Sequence, residues 1–287
     1  MKFSLLFAGF LLVFASTAQA QAISGRITNA QTRETLPYVN VGVVGKALGT
    51  VANEQGTYQL VFQEALAGET VRVSSVGYAP RNVTLRELAA QPNVALTPEA
   101  VSLGEVQVKG KALFRRTHTL GNTGNSDNST FTLNNRDLGG QSGTVIKLSR
   151  RPTRVQSATF NIAQNAPGKV TFRVNICRLD AKGNPTDIKL LRRDVIVTAP
   201  VARGPMTVDL SADQLVLDEN FFLSVEMLKW EGAPAGGATF AFSASLGYNN
   251  NEIYIRKTSQ AAWERVSAGA ALAGMQPRLS YFVTVND

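Results

Sequence analysis

The sequence predicts an all-β protein made of two stacked-sheet bodies, on three observations. Side chains alternate with period 2 over many short segments, most plainly at residues 70–76 and 170–177. Gly, Asn and Pro punctuate these segments while charged residues make up only 17% of the chain, a balance that favours strands joined by turns. The 287 residues are also enough for two cores of ordinary size.

The chain opens as a secretory signal. Met1-Lys2 is a short positive region, residues 3–14 form an apolar run, and Ala18-Gln19-Ala20 offers a small-x-small cleavage site. A membrane anchor needs roughly 20 apolar residues, more than this run supplies. Residues 1–20 therefore read as a cleaved signal peptide, with Gln21 first in the mature chain and no Cys following to carry a lipid. The mature protein is expected in the periplasm, on the outer membrane surface or in the medium, with no transmembrane segment. Net charge is +8, and losing Lys2 leaves +7. In a cytosolic protein that excess suggests phosphate neutralisation; export argues against nucleic acid and for an envelope protein or a glycan as partner.

Residues 22–28 are expected as a first strand, followed by a polar turn at 29–34. Residues 38–44 place Val39, Val41 and Val43 on one face, and 48–51 make a short edge piece. Asn53-Glu54-Gln55-Gly56 is a turn whose Gly can supply the positive φ of a tight hairpin, and 57–62 return from it. In 70–76, Val71 and Val73 face one way and Arg72, Ser74 and Val76 the other. Gly77 and Pro80 end that strand, and Tyr78 can close the end of a core. A strand at 82–85, a helical piece near 86–90 and strands at 93–96 and 101–108 complete the first body.

These residues carry a resemblance. Gly25 with Ile27, Leu36-Pro37-Tyr38-Val39-Asn40-Val41, Gly49-Thr50 with Asn53, Gly56 and Tyr58, and then residues 74–78 follow one ordered pattern. It is similar to the carboxypeptidase-regulatory-like family over about residues 22–97. The resemblance implies a prealbumin-like (transthyretin-like) seven-stranded β-sandwich, placed here at residues 21–108. Asn53 stands where the family often has Asp, a change a turn tolerates. The module accompanies metallocarboxypeptidase zinc domains and precedes the plug of many TonB-dependent receptors, and residues 101–110 resemble the segment joining it to such a plug. A barrel of roughly 22 strands, each of about 9–11 residues, does not fit in 287 residues, so a module rather than a transporter is implied.

Residues 109–130 read as a basic and polar linker, with Lys109, Lys111, Arg115, Arg116 and His118 ahead of a loop at 121–130. Residues 131–287 read as a second sandwich of jelly-roll type. Its expected strands are 143–148, 154–163, 169–179, 188–198, 206–210, 220–230, 239–246, 252–257 and 279–285. Phe221, Leu223, Val225 and Met227 share one face, and Phe240 and Phe242 resemble the facing layer. The lone Cys177 cannot form an internal disulfide and reads as a small buried side chain, so packing alone must stabilise the fold.

Little of the chain points to catalysis. Hydrolytic zinc needs several His or carboxylate ligands, and His118 is the only His; no metal, cofactor or catalytic residue is expected. A serine triad would need His118, and no Gly-x-Ser-x-Gly elbow accompanies it. Asp209, Asp213, Asp218, Glu219, Glu226 and Glu231 could supply a carboxylate pair, although acids in turns are usually solvated. The Asn-rich segments 122–128 and 249–252 read as turns rather than calcium loops. Trp230, Tyr248, Tyr254 and Trp263 lie near strand ends and could stack on a sugar or peptide.

The leading expectation is thus a non-catalytic binding or assembly module of the cell envelope. Rival readings are a carbohydrate-binding protein using those four aromatics, an acid-residue hydrolase, and an accessory that docks a partner through an edge strand.

Overall fold

A computed structural model of the chain describes residues 21–99, 114–126, 128–133, 138–166, 168–199, 202–231, 239–248, 253–266 and 274–287. The signal peptide and the strand expected at 101–108 lie outside the described residues. No helix among the described residues is long and apolar enough to cross a membrane.

The first body holds seven strands and one short helix: β1 (Ala22–Asn29), β2 (Asn40–Val43), β3 (Gly49–Val51), β4 (Thr57–Val61), β5 (Thr70–Ser74), β6 (Arg81–Thr84), α1 (Leu85–Ala90) and β7 (Val94–Leu96). They form two sheets, ordered β4-β1-β7 and β3-β2-β5-β6. Ile23, Ile27, Val39, Val41, Val43, Tyr58, Leu60, Val71 and Val73 meet between them as one core, as the alternation of apolar side chains dictates. Gly56, at φ +71°, makes the hairpin into β4, where a Cβ would also strike the Ile27 carbonyl. Thr84 and Glu87 cap α1 reciprocally.

The second body follows as β8 (Thr117–Gly121), β9 (Thr130–Leu133), β10 (Gln141–Ile146), β11 (Thr153–Asn165), β12 (Lys169–Leu179), β13 (Pro185–Lys189), β14 (Val195–Thr198) and β15 (Gly204–Asp209). It continues with β16 (Val216–Leu217), β17 (Phe221–Glu231), β18 (Phe240–Gly247), β19 (Ile253–Arg256), β20 (Glu264–Val266), β21 (Gln276–Leu279) and β22 (Tyr281–Asn286). One sheet runs β13-β12-β17-β10-β19-β20 with β14 also on β12; the other runs β21-β18-β11-β22-β8, with β9, β15 and β16 added. Between them Val170, Phe172, Val174 and Ile176 meet Phe240, Phe242, Tyr281 and Val283. The ring centroids of Phe172 and Phe240 are 4.9 Å apart, and those of Phe242 and Tyr281 5.1 Å. The expected all-β architecture of two sandwich-like bodies holds.

Several details differ from the sequence reading, among them β16 and β20, which fall where no strand is expected. Within the expected linker, β8 is a strand: Leu120 packs against the core, and the segment pairs with β22. The expected strand 188–198 divides in two, because Leu190 and Leu191 turn into the core between β13 and β14. The last expected strand also divides, at Ser280, where the chain passes from pairing with β18 to pairing with β11.

Candidate functional site

The period-2 pattern gives the β12 sheet a second face opposite the sandwich core. On β12 it carries Thr171, Arg173, Asn175 and Cys177, and all four are buried. The first body covers this face. Its β3-β2-β5-β6 sheet turns Val41, Val43, Val71 and Val73 inward, which leaves Asn40, Gly42, Arg72 and Ser74 on the side that meets the second body. The covering is hydrogen-bonded: Gly45 N donates to Gln260 O (2.8 Å), and Gln260 Nε2 donates to Ser74 Oγ (3.3 Å). Lys229 reaches Glu54 at 2.9 Å. The sheets therefore meet polar face to polar face.

The strand register sets a row of side chains across the buried face. Arg173 on β12 lies opposite Glu226 on β17, Glu226 opposite Gln141 on β10, and Gln141 opposite Arg256 on β19. Arg173 is 1% exposed and Glu226 0%. Arg173 Nη1 donates to Glu226 Oε2 at 2.9 Å, and Arg173 Nε lies 2.9 Å from Asp194 Oδ1. Arg173 also donates through Nη2 to the Tyr38 carbonyl of the first body. Burial disfavours the charge on both partners, yet each keeps it. Glu226 and Asp194 raise the Arg173 pKa, and Arg173 with Lys189 holds the Glu226 carboxyl below the usual range. At the far end of the row Arg256 donates to Asp187 Oδ1 (2.7 Å) and Gln141 Oε1 (3.0 Å), with its guanidinium 4.3 Å over the Trp263 ring.

The next row sets Asn175 opposite Ser224, and Ser224 opposite Gly143. A Cβ on Gly143 would lie 2.5 Å from Phe222 Cζ and 2.6 Å from the Leu223 carbonyl, so only glycine fits. Beyond it, Cys177 lies opposite both Phe222 and Lys189. Burial pushes the Cys177 thiol up to about 11, which leaves it un-ionised and unreactive at neutral pH.

Where the two polar faces do not touch, they enclose a cleft of ≈ 460 Å³. Asn40, Arg72, Ser74 and Tyr78 line it from the first body; Gln141, Asn175, Cys177, Lys189, Arg256 and Gln260 line it from the second. Its size falls in the range of roughly 300–1,000 Å³ usual for small-molecule sites. Amide and hydroxyl groups on both walls could hydrogen-bond a ligand.

The four aromatics singled out in the sequence do not share one surface. Trp230 packs against the main sandwich core. Tyr248 is exposed. Tyr254 is buried edge-on to Phe222, with ring centroids 5.8 Å apart. Trp263 is half-buried between Phe222 and Arg256, and so backs the cleft without lining it.

The acidic cluster is likewise dispersed. Asp213 pairs with Arg193, Glu231 with Lys229, and Glu226 with Arg173, while Asp209 accepts from the Ser211 amide. Among the described residues, no group of three or more His, Cys, Asp or Glu is placed to hold a metal ion. His118 Nε2 lies 2.9 Å from Ser149 Oγ and 3.6 Å from Asp287 Oδ2. Both contacts fall on one ring nitrogen, whereas a nucleophile–base–acid relay needs the acid on the other. Asn122 Nδ2 donates to Ser245 and to the Arg278 carbonyl, and its Oδ1 accepts from Gly124, so its amide braces the loop. The residues at 249–252 lie outside the described residues.

Sequence reasoning missed the row. Glu226 was grouped with turn acids, although it sits in mid-strand between Val225 and Met227, and that position was the available signal.

Comparison with known proteins agrees with the first body: residues 23–108 match the CarboxypepD_reg-like domain family. No curated protein matches the chain. Among solved structures, the chain is similar to the cysteine protease and lectin-like domains of Cwp84, a surface layer associated protein of Clostridium difficile. That match has a TM-score of 0.38 and 12% identity, over 56% of this chain and 37% of that one. A clostridial Cwp84 after propeptide cleavage gives a TM-score of 0.42 and 10% identity, over 92% and 70%. The infectious bursal disease virus VP2 subviral particle gives 0.31 and 11%, over 92% and 64%.

Proposed function

We propose that this chain is an exported, non-catalytic binding module of the cell envelope, whose ligand sits in the cleft between the two bodies. The observation that carries this reading is the composition of the cleft. It is walled by polar side chains from both bodies, and within it the Asn40 carboxamide is 5% exposed, with Oδ1 accepting no hydrogen bond from a described residue. A buried acceptor without a donor is costly, and a bound donor removes that cost. Export rests on the signal-like residues 1–20. The non-catalytic character rests on the dispersal of the acids into separate contacts and on the geometry around His118.

One observation favours a carbohydrate among envelope ligands. Asn40, Gln141, Asn175, Ser259 and Gln260 surround the cleft with side chains that can donate and accept, and Tyr78 lies on its wall, the groups that saccharide hydroxyls require. Affinity electrophoresis of the mature protein in envelope and plant-cell-wall polysaccharides tests the proposal. Retardation that is lost on Asn40→Ala, without turnover of the polysaccharide, is the expected result. Retardation unchanged by that substitution, or cleavage of the polymer, contradicts it.

A further inference from the structure

Resting on the cleft reading above, we infer that the ligand is an acidic sugar, a hexuronate, whose carboxylate is held by Lys189 and Arg72. Five charged residues line the cleft: Arg72, Lys189, Arg256, Glu99 and Asp187. Arg256 and Asp187 neutralise each other at 2.7 Å. Glu99 is exposed, so it belongs to the mouth. The two remaining cations come from opposite walls, Arg72 from β5 and Lys189 from β13. Neither side chain makes a hydrogen bond or ion pair with any described residue, and both are half-buried.

The walls of the cleft thus carry two cations that form no hydrogen bond or ion pair with a described residue. Glu226, the buried carboxylate of the row, acts on Lys189 electrostatically but is already engaged by Arg173. Burial weakens the Lys189 ammonium and the Arg173 guanidinium adds to the repulsion, by more than Glu226 and Asp194 offset without touching it. A bound anion relieves both effects. A carboxylate is the fitting group, since charge-assisted bonds from Lys and Arg are the strong ones. The unpartnered Asn40 Oδ1 asks in addition for a donor. A hydroxyl supplies it; an ammonium would need a free anion, and none of the described lining residues inside the mouth offers one. Carboxylate and hydroxyls on one compact ring describe a uronic acid.

The test is calorimetric titration of the mature protein with trigalacturonic acid and with its methyl-esterified form, which keeps the hydroxyls and loses the charge. The wild type is expected to bind the acid roughly 10- to 100-fold more tightly than the ester, as a charge-assisted hydrogen bond warrants. Lys189→Met and Arg72→Met should each reduce that preference, and the two together should abolish it. Equal binding of acid and ester, lost on Asn40→Ala, overturns the uronate assignment and leaves the cleft reading standing. Acid binding that survives both Met substitutions also overturns it. Binding of neither probe overturns the assignment and counts against the carbohydrate reading.

Discussion

Replacing Arg173 by Ala probes the foundation of the interface. Arg173 is 1% exposed and engages Glu226, Asp194 and the Tyr38 carbonyl. Its removal leaves a fully buried Glu226 carboxylate whose Oε1 already lacks a hydrogen bond. Breaking one side of a buried pair costs about 3–5 kcal/mol. At roughly 2–4 °C per kcal/mol for a body of this size, Arg173→Ala should lower the melting temperature by about 6–20 °C. Urea titration should show the same loss. The double change Arg173→Met with Glu226→Leu should recover most of it, because an apolar pair needs no compensation. The acid limb of the stability curve carries an independent signature. Glu226 is held below its usual value of 4.5, so its contribution is full above the unfolded value and is lost as pH falls through the folded one. Glu226→Gln should flatten that limb. A loss below about 1 kcal/mol for Arg173→Ala is the figure for a solvated surface pair, and it would refute the description of a dry, buried row.

Three further outcomes follow from the geometry. Gly143→Ala forces a methyl to 2.5 Å from Phe222 Cζ and 2.6 Å from the Leu223 carbonyl, and should destabilise the second body by about 1–3 kcal/mol in chemical denaturation. Thr84→Ala removes the hydroxyl that accepts from the Glu87 amide and keeps the backbone half of the cap on α1; it should cost about 1 kcal/mol, lost from the first body alone. Cys177, buried with its pKa pushed up to about 11, should resist a thiol reagent in the native state at pH 8 and react fully in denaturant; rapid native labelling would contradict its burial.

The apolar half of the fold was legible residue by residue. Val71 and Val73, or Phe172 and Val174, must face a core whatever lies on the other side, and alternation alone places them. The polar half was not. Alternation sets Thr171, Arg173, Asn175 and Cys177 off the core face without saying what covers them, because period 2 distinguishes the two faces of a strand but not water from a second protein surface. Part of what meets that face lies far earlier in the chain: Arg173 donates to the carbonyl of Tyr38, 135 positions before it. The surroundings of the aromatics were hidden for a related reason. Tyr254 and Trp263 are near strand ends, as a stacking platform would be, yet Phe222 and Arg256 engage them from neighbouring strands. Leu190 and Leu191 extended an apparent strand because an apolar pair entering a core from a loop looks the same in sequence as one in a sheet.

Whether the two bodies share a cleft can be asked covalently. An ideal Cβ on Gly42 lies 3.1 Å from Gln260 Cβ, within a few tenths of an ångström of the roughly 3.5–4.5 Å a disulfide spans. In a Cys177→Ala background, Gly42→Cys with Gln260→Cys should close under mild oxidation into one intramolecular bond, read as loss of both free thiols in a monomeric species. Two thiols that stay free, or that pair only between molecules, would show the bodies apart.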